Sequence, residues 1–195
     1  MTTDHWPLKT GGCAMIDLAI EVAARAHEGQ VRKGTDIPYI THPYAVGMLL
    51  LKAGCSNEVV TAGLLHDTLE DTSLPLEEIR LLFGQRVADI VLGCSEPNRG
   101  LPWEERKQHT LDFLRTAPLD IRWVSCADKL HNLRTLAGDL NRVGDQVWYR
   151  FHRGRNRQEW YYRGIVESLW HGLEVPPQGS LFHQLKEEVE ALFGK

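Results

Sequence analysis

His66 and Asp67, with Glu70 and Asp71 just downstream, place one imidazole and three carboxylates in the stretch L-L-H-D-T-L-E-D-T over residues 64–72. If the stretch stays helical, each residue turns about 100° from the last. His66 then stands one turn from Glu70, and Asp67 one turn from Asp71, on a polar stripe opposite Leu65 and Leu69. Like charges so close repel unless something positive sits among them. A divalent metal, held by imidazole nitrogen and carboxylate oxygen, supplies that charge. A solvated helix face accounts for the stripe equally well when it is taken alone. The apolar residues flanking it point to an interior cleft.

Two further segments add to this chemistry. In C-A-D-K-L-H-N-L-R (126–134), helical spacing puts Asp128, Asn132 and Thr135 on one face, with Leu130 and Leu133 opposite. An aspartate inside a helix competes with the backbone for hydrogen bonds and needs a reason to be there. Upstream, His42 precedes Pro43 at a helix start, after Arg32 and Lys33 on a loop that contains Gly34. A histidine in such a place more often caps a helix or packs in a core. Together, however, two histidines, two aspartates, the Glu70-Asp71 pair and a basic loop make a constellation suited to a metal and a phosphate. A metal acidifies water and polarises a phosphoryl group. A neighbouring carboxylate orients or deprotonates that water, and Arg32 and Lys33 offset the charge that develops on phosphate oxygens.

The elements that must carry these residues are helical. Apolar residues recur at three-four spacing over 13–28, through Ile16, Ala19, Ile20, Ala23, Ala24 and His27, and Gly29 ends the run. Thr41-His42-Pro43 opens a second helix, with proline where its missing N–H costs nothing, and Gly54 closes it. Ser56-Asn57-Glu58 starts a third, expected to run unbroken through residue 71. Further helices are expected over 75–83, 85–93, 102–115, 118–140, 157–173 and 181–193, the last two separated by the Pro176-Pro177 breaker. Alternating strand patterns are scarce, and Tyr39-Ile40 is at most an extended stub. The expected fold is all-α, a compact multi-helix bundle. Residues 141–156 mix Gly, Arg and aromatics without a clear period.

A chain of 195 residues is long enough for one substantial core, and we expect a single domain over 1–195 in which the helices of 141–195 pack on a motif core at 13–140. With 22 Lys+Arg against 26 Asp+Glu, the formal net charge of −4 argues against adhesion to nucleic acid or anionic membrane through the overall field. An anionic small molecule would need a local basic site. The uncharged run at 45–51 ends at Lys52, far short of the ~20 residues that cross a bilayer. The first twelve residues contain no apolar core of a secretory signal. Cys13, Cys55, Cys94 and Cys126 show no C-x-x-C pairing and read as buried free thiols of a reducing compartment, so the expected location is cytoplasmic. Over 142–163, six arginines against Asp145 and Glu159 interleave with Trp148, Tyr149, Phe151, Trp160, Tyr161 and Tyr162. Such a mixture can bind single-stranded nucleic acid. The favoured reading is a helix with its aromatics inward and arginine stems outward, with an Arg or Tyr available to close over distal phosphates.

The segments R-K-G-T-D-I-P-Y-I-T-H-P (32–43), L-L-H-D-T-L-E-D-T and A-D-K-L-H-N-L-R (127–134) resemble the hydrolase half of RelA/SpoT-type enzymes. They resemble still more the stand-alone small alarmone hydrolases of the metazoan SpoT-homologue type, which are all-α members of the HD-domain superfamily of metal-dependent phosphohydrolases. The likeness covers residues 13–140 with the motifs in order. It implies His42, His66, Asp67 and Asp128 as ligands of one Mn²⁺-like ion. It implies Glu70 and Asp71 as the pair that handles water and protons, and Arg32 and Lys33 as neighbours of the pyrophosphate. Asn132 and Thr135 match positions near the nucleoside, and Lys107 matches a lysine near the phosphates. Lys129 and His131 lie inside the motif and are expected to pack or pair structurally. The implied reaction removes pyrophosphate from the 3′ position of (p)ppGpp, leaving GDP or GTP. The alternatives are the same chemistry on (p)ppApp or on the 2′-phosphate of NADPH, and a nucleotide-binding sensor that does not cleave. The synthetase and regulatory regions of long RelA/SpoT proteins do not fit after residue 140, so the expectation is a hydrolase alone. The oligomeric state has no signature in the sequence.

Overall fold

The computed structural model describes residues 12–96, 100–151, 153–174 and 180–194, except the side chains of residues 12, 13 and 150. The amino-terminal residues read above for a signal, the Cys13 thiol and the Pro176-Pro177 breaker lie outside what is described. Among the described residues, ten α-helices follow one another: α1 (Gly12–Ala26), α2 (Thr41–Lys52), α3 (Asn57–Leu65), α4 (Thr68–Asp71), α5 (Leu76–Phe83), α6 (Gln85–Cys94), α7 (Trp103–Leu114), α8 (Leu119–Val143), α9 (Gly154–Trp170) and α10 (Leu181–Phe193). A 3₁₀ segment, Gly144–Arg150, joins α8 to α9. The fold is all-α. Among the described residues the β structure amounts to one isolated bridge, Val31 with Pro38, which pins the base of the basic loop.

Two helices organise the rest. α3 is buried from Val59 to Leu65 and packs against α1, α2, α6 and α8. α8, the longest, runs through the bundle and also touches α9 and α10. Its Leu130 and Leu133 are fully buried, each worth roughly 1.5–3 kcal/mol relative to exposure. α2 and α3 approach so closely that two glycines are required. A Cβ on Gly47 would stand 2.7 Å from Leu64 Cδ2, and one on Gly63 would stand 2.3 Å from Leu50 Cδ1. Arg122 of α8 is buried and donates to the carbonyls of Arg115, Ala117 and His171. One guanidinium thereby satisfies carbonyls left over where α7 and α9 end.

The third helix does not run through to residue 71. It stops at Leu65, His66 and Asp67 form a turn, and α4 begins at Thr68. The hydroxyl of Thr68 donates to the Leu65 carbonyl, the acceptor that a continuing helix would offer to residue 69. The Asp67 carbonyl is shared by the amides of Glu70 and Asp71. Both turn residues keep helical φ and ψ, so the chain direction changes little. The aromatics of 142–163 mostly turn inward: Trp148, Tyr161 and Tyr162 are buried, while Tyr149 is exposed. Several of the arginines pair or cap on the outside, Arg153 with Glu104, Arg163 with Glu159, and Arg155 on the Leu192 carbonyl.

Candidate metal and phosphate site

His42 comes from the first turn of α2, where Pro43 fixes the backbone, and is 1% exposed. His66 and Asp67 come from the turn between α3 and α4, and Asp128 from the buried face of α8. The four side chains converge. His42 Nε2 lies 3.2 Å from Asp128 Oδ1 and 3.5 Å from Asp67 Oδ2, and His66 Nε2 lies 3.1 Å from Asp67 Oδ2 and 3.8 Å from Asp128 Oδ1. His42, His66 and Asp128 each offer a ligand atom, all within 4.8 Å of one another.

The donor set fits a divalent ion. His66 Nδ1 donates to the Gly63 carbonyl at 2.8 Å, which points Nε2 at the carboxylates. That Nε2 is buried and, despite its ion-pair distance to Asp67, makes no contact of hydrogen-bond geometry. An orphaned buried nitrogen facing two carboxylates is filled by a cation that takes both nitrogen and oxygen. The electrostatics agree. Burial would push the His66 imidazole down in pKa, but Asp67 and Asp128 outweigh it and lift it to about 9. Burial would raise both aspartates, yet His66 beside Asp67, and Lys129 with the histidines beside Asp128, hold these carboxyls well below the usual range. The cluster draws positive charge.

Each of the four has a partner behind it. Tyr39 donates its hydroxyl to Asp67 Oδ2 at 2.6 Å. His131 Nδ1 lies 2.7 Å from His42 Nδ1. Lys129 Nζ donates to Asp128 Oδ2 at 2.6 Å, and Asn132 Nδ2 to Asp128 Oδ1 at 2.5 Å. Asn132 Oδ1 in turn accepts from Arg32 Nη2 at 3.0 Å, so the basic loop is tied to the cluster through one amide. Gly34 turns that loop with φ +76°, a conformation that suits glycine. Lys129 and His131 therefore pair as structural residues would, and their partners are the cluster itself. Tyr39, which the sequence shows only as an extended stub three residues before His42, is thus a partner of the cluster.

Two cavities, of about 650 and 720 Å³, share Lys107, Lys129 and Tyr161 in their walls. The first contains His66, Asp67, Glu70, Asp128 and Glu96. Arg32, Lys33, Asn132, Thr135 and Tyr162 line the second. All five residues expected near substrate thus face one cavity. The Thr135 hydroxyl is already bonded to the His131 carbonyl, at 3.0 Å. Glu70 and Asp71 part company at α4. Glu70 lines the first cavity and accepts from the Glu96 amide at 2.5 Å, whereas Asp71 is exposed and faces the Tyr39 hydroxyl at 3.4 Å. Lys107 forms an ion pair with Glu96 and sits 5.1 Å from the Tyr161 ring centre. Cys55 and Cys94 are half-buried and Cys126 is buried, all three as free thiols. Among the described residues no helix is long and apolar enough to cross a membrane.

The sequence profile of the HD domain matches residues 19–157. The human guanosine-3′,5′-bis(diphosphate) 3′-pyrophosphohydrolase MESH1 is 39% identical over 178 residues, which cover 90% of each chain. A GTP pyrophosphokinase of Streptomyces coelicolor is 38% identical over 132 residues, 66% of this chain, and the match spans only 16% of that longer protein. Among solved structures, a metazoan SpoT orthologue described as hydrolysing ppGpp superposes with a TM-score of 0.75 at 26% identity, over 97% of this chain and 98% of its own.

Proposed function

The chain belongs to the HD-domain family, and from that premise we propose that it is a metal-dependent phosphohydrolase that removes the 3′-pyrophosphate of (p)ppGpp-like nucleotides, leaving GDP or GTP. The observation that carries this reading is the convergence of His42, His66, Asp67 and Asp128, from three parts of the chain, beside a cavity lined by Arg32, Lys33 and Asn132. The human relative that matches 90% of each chain, and bears the name of this activity, supports the choice of substrate. Two imidazoles with two carboxylates suit Mn²⁺, and the same four residues would hold it.

When bound, such an ion supplies Lewis-acid charge to the phosphoryl group and makes water a better nucleophile. Glu70 orients that water and takes its proton as oxygen attacks phosphorus. The bond from phosphorus to the ribose O3′ breaks, and Glu70 returns the proton to O3′, which leaves its carboxylate free again. Asp71, one residue on and exposed beside the Tyr39 hydroxyl, exchanges protons with solvent. Lys107, in the walls of both cavities, offsets charge on the transferred group. Arg32 and Lys33 hold the phosphates, and Asn132 and Thr135 lie against the nucleoside.

The test is a panel. Purified protein with Mn²⁺ is offered ppGpp, ppApp, NADPH and deoxynucleoside triphosphates while pyrophosphate and phosphate release are followed. The proposal requires pyrophosphate release from ppGpp. Release from ppApp or NADPH alone would reassign the substrate, and binding without turnover would make the protein a sensor.

A further inference from the structure

We propose that Glu96 is a specificity-determining residue, a built-in competitor that occupies Lys107 and Arg106 until a strongly charged phosphate group displaces it. The inference deepens the hydrolase reading and rests on it for the identity of the incoming anion. The Glu96 side chain is 14% exposed, and both its oxygens are engaged, Oε2 with Arg106 Nη1 and Oε1 with Lys107 Nζ. Two oxygens of one anion on two cations is also how a phosphate would sit there. The cations have capacity to spare. Arg106 Nε is buried without a hydrogen-bond partner, and an ammonium carries three donors. Lys107 lines both cavities, so an anion reaching from either one meets it.

The surrounding charge explains why such a competitor would select. Asp67, Glu70, Asp89, Glu96 and Asp128 outnumber Lys107 and Lys129 in the walls of the first cavity, so an anion that does not displace the Glu96 carboxylate finds no net attraction there. A pyrophosphate group brings enough charge to replace the carboxylate. The Glu96 amide, not its side chain, holds Glu70. The carboxylate can therefore leave its cations while Glu70 keeps its place.

Calorimetric titration of inorganic pyrophosphate into Mn²⁺-loaded protein tests this, at low and at physiological salt. Glu96→Gln keeps the shape and removes the charge. Pyrophosphate should bind at least about five-fold tighter, the equivalent of releasing one partly buried ion pair, with a steeper salt dependence. Glu104→Gln, which breaks the ion pair between α7 and Arg153, should leave the affinity at the wild-type value. Unchanged or weaker binding in a folded Glu96→Gln protein overturns the proposal. If that variant does not fold, Arg106→Gln carries the test. Weaker pyrophosphate binding there supports the role, and wild-type affinity refutes it. The readout is binding, so the two ideas fail separately. Turnover of ppGpp with unaltered pyrophosphate affinity sinks the competitor alone, and tighter binding without turnover sinks the hydrolase reading alone.

Discussion

His42 and His131 face each other Nδ1 to Nδ1 at 2.7 Å, so the two rings share a single proton between them. With that proton on His42, its Nε2 presents a lone pair toward Asp128 and Asp67, as a metal ligand must. His131→Ala should lower metal affinity by ~10–100-fold, the usual effect of losing such a partner, with the helical circular dichroism kept. Metal content after dialysis against graded chelator measures it. Wild-type retention would show the contact to be packing only.

Asp128 is the one cluster carboxylate on α8, and it lies near both histidines. Asp128→Ala should remove metal and activity together. Elemental analysis showing full occupancy in that variant would take Asp128 out of the ligand set.

Glu70 and Asp71 should matter for rate more than for metal. Glu70→Gln is expected to lower kcat by at least ~10²-fold, the size typical of a lost acid or base, at unchanged metal content. Asp71→Asn should have the same direction. Near-wild-type turnover in both would end the assignment.

Arg32→Ala should raise KM and lower kcat/KM by roughly 1.5–3 kcal/mol, the range for charge-assisted hydrogen bonds, without loss of metal. Because Arg32 is held by Asn132, the double variant with Asn132→Ala should cost less than the sum of the single changes. Strict additivity in the kinetics would mean that the two act independently.

Glu96 also predicts an acid-stability signature. Burial would raise its carboxyl, but Lys107 and Arg106 outweigh that and hold it below its ordinary value of 4.5. The unfolded chain then takes up the proton first. The stability contributed by Glu96 is complete above about pH 4.5 and is lost as pH falls through the folded value. Denaturant midpoints measured from pH 7 to pH 3 should fall less steeply at the acid end in Glu96→Gln than in wild type.

Most helices were legible because their buried faces recur at helical period. Residues 181–193 coincide with α10, and Leu130, Leu133 and Leu136 of α8 are all buried. The turn at His66-Asp67 was not legible, since the dihedrals stay helical and only the Thr68 hydroxyl diverts the ladder. Residues 141–156 show no single period because they are divided among the end of α8, the 3₁₀ segment Gly144–Arg150 and the first residues of α9. In the site, the charged residues announced themselves by type and spacing. The contacts of Tyr39, Lys129 and His131 with the cluster did not, because a sequence shows which helical face a residue occupies and not which neighbour that face meets.

Gly47 and Gly63 have a reach beyond packing. Each admits a leucine of the opposite helix, Leu64 and Leu50, in a reciprocal clasp. His42 lies at the start of one clasped helix, and His66 lies just past the end of the other. The separation of the two imidazoles is therefore calibrated by the hydrogen atoms of two glycines, one of which, Gly63, also anchors His66 through its carbonyl. A single added methyl at Gly63 would act as a wedge, prising Leu50 aside and detuning the centre mechanically, with every chemically active group still in the chain.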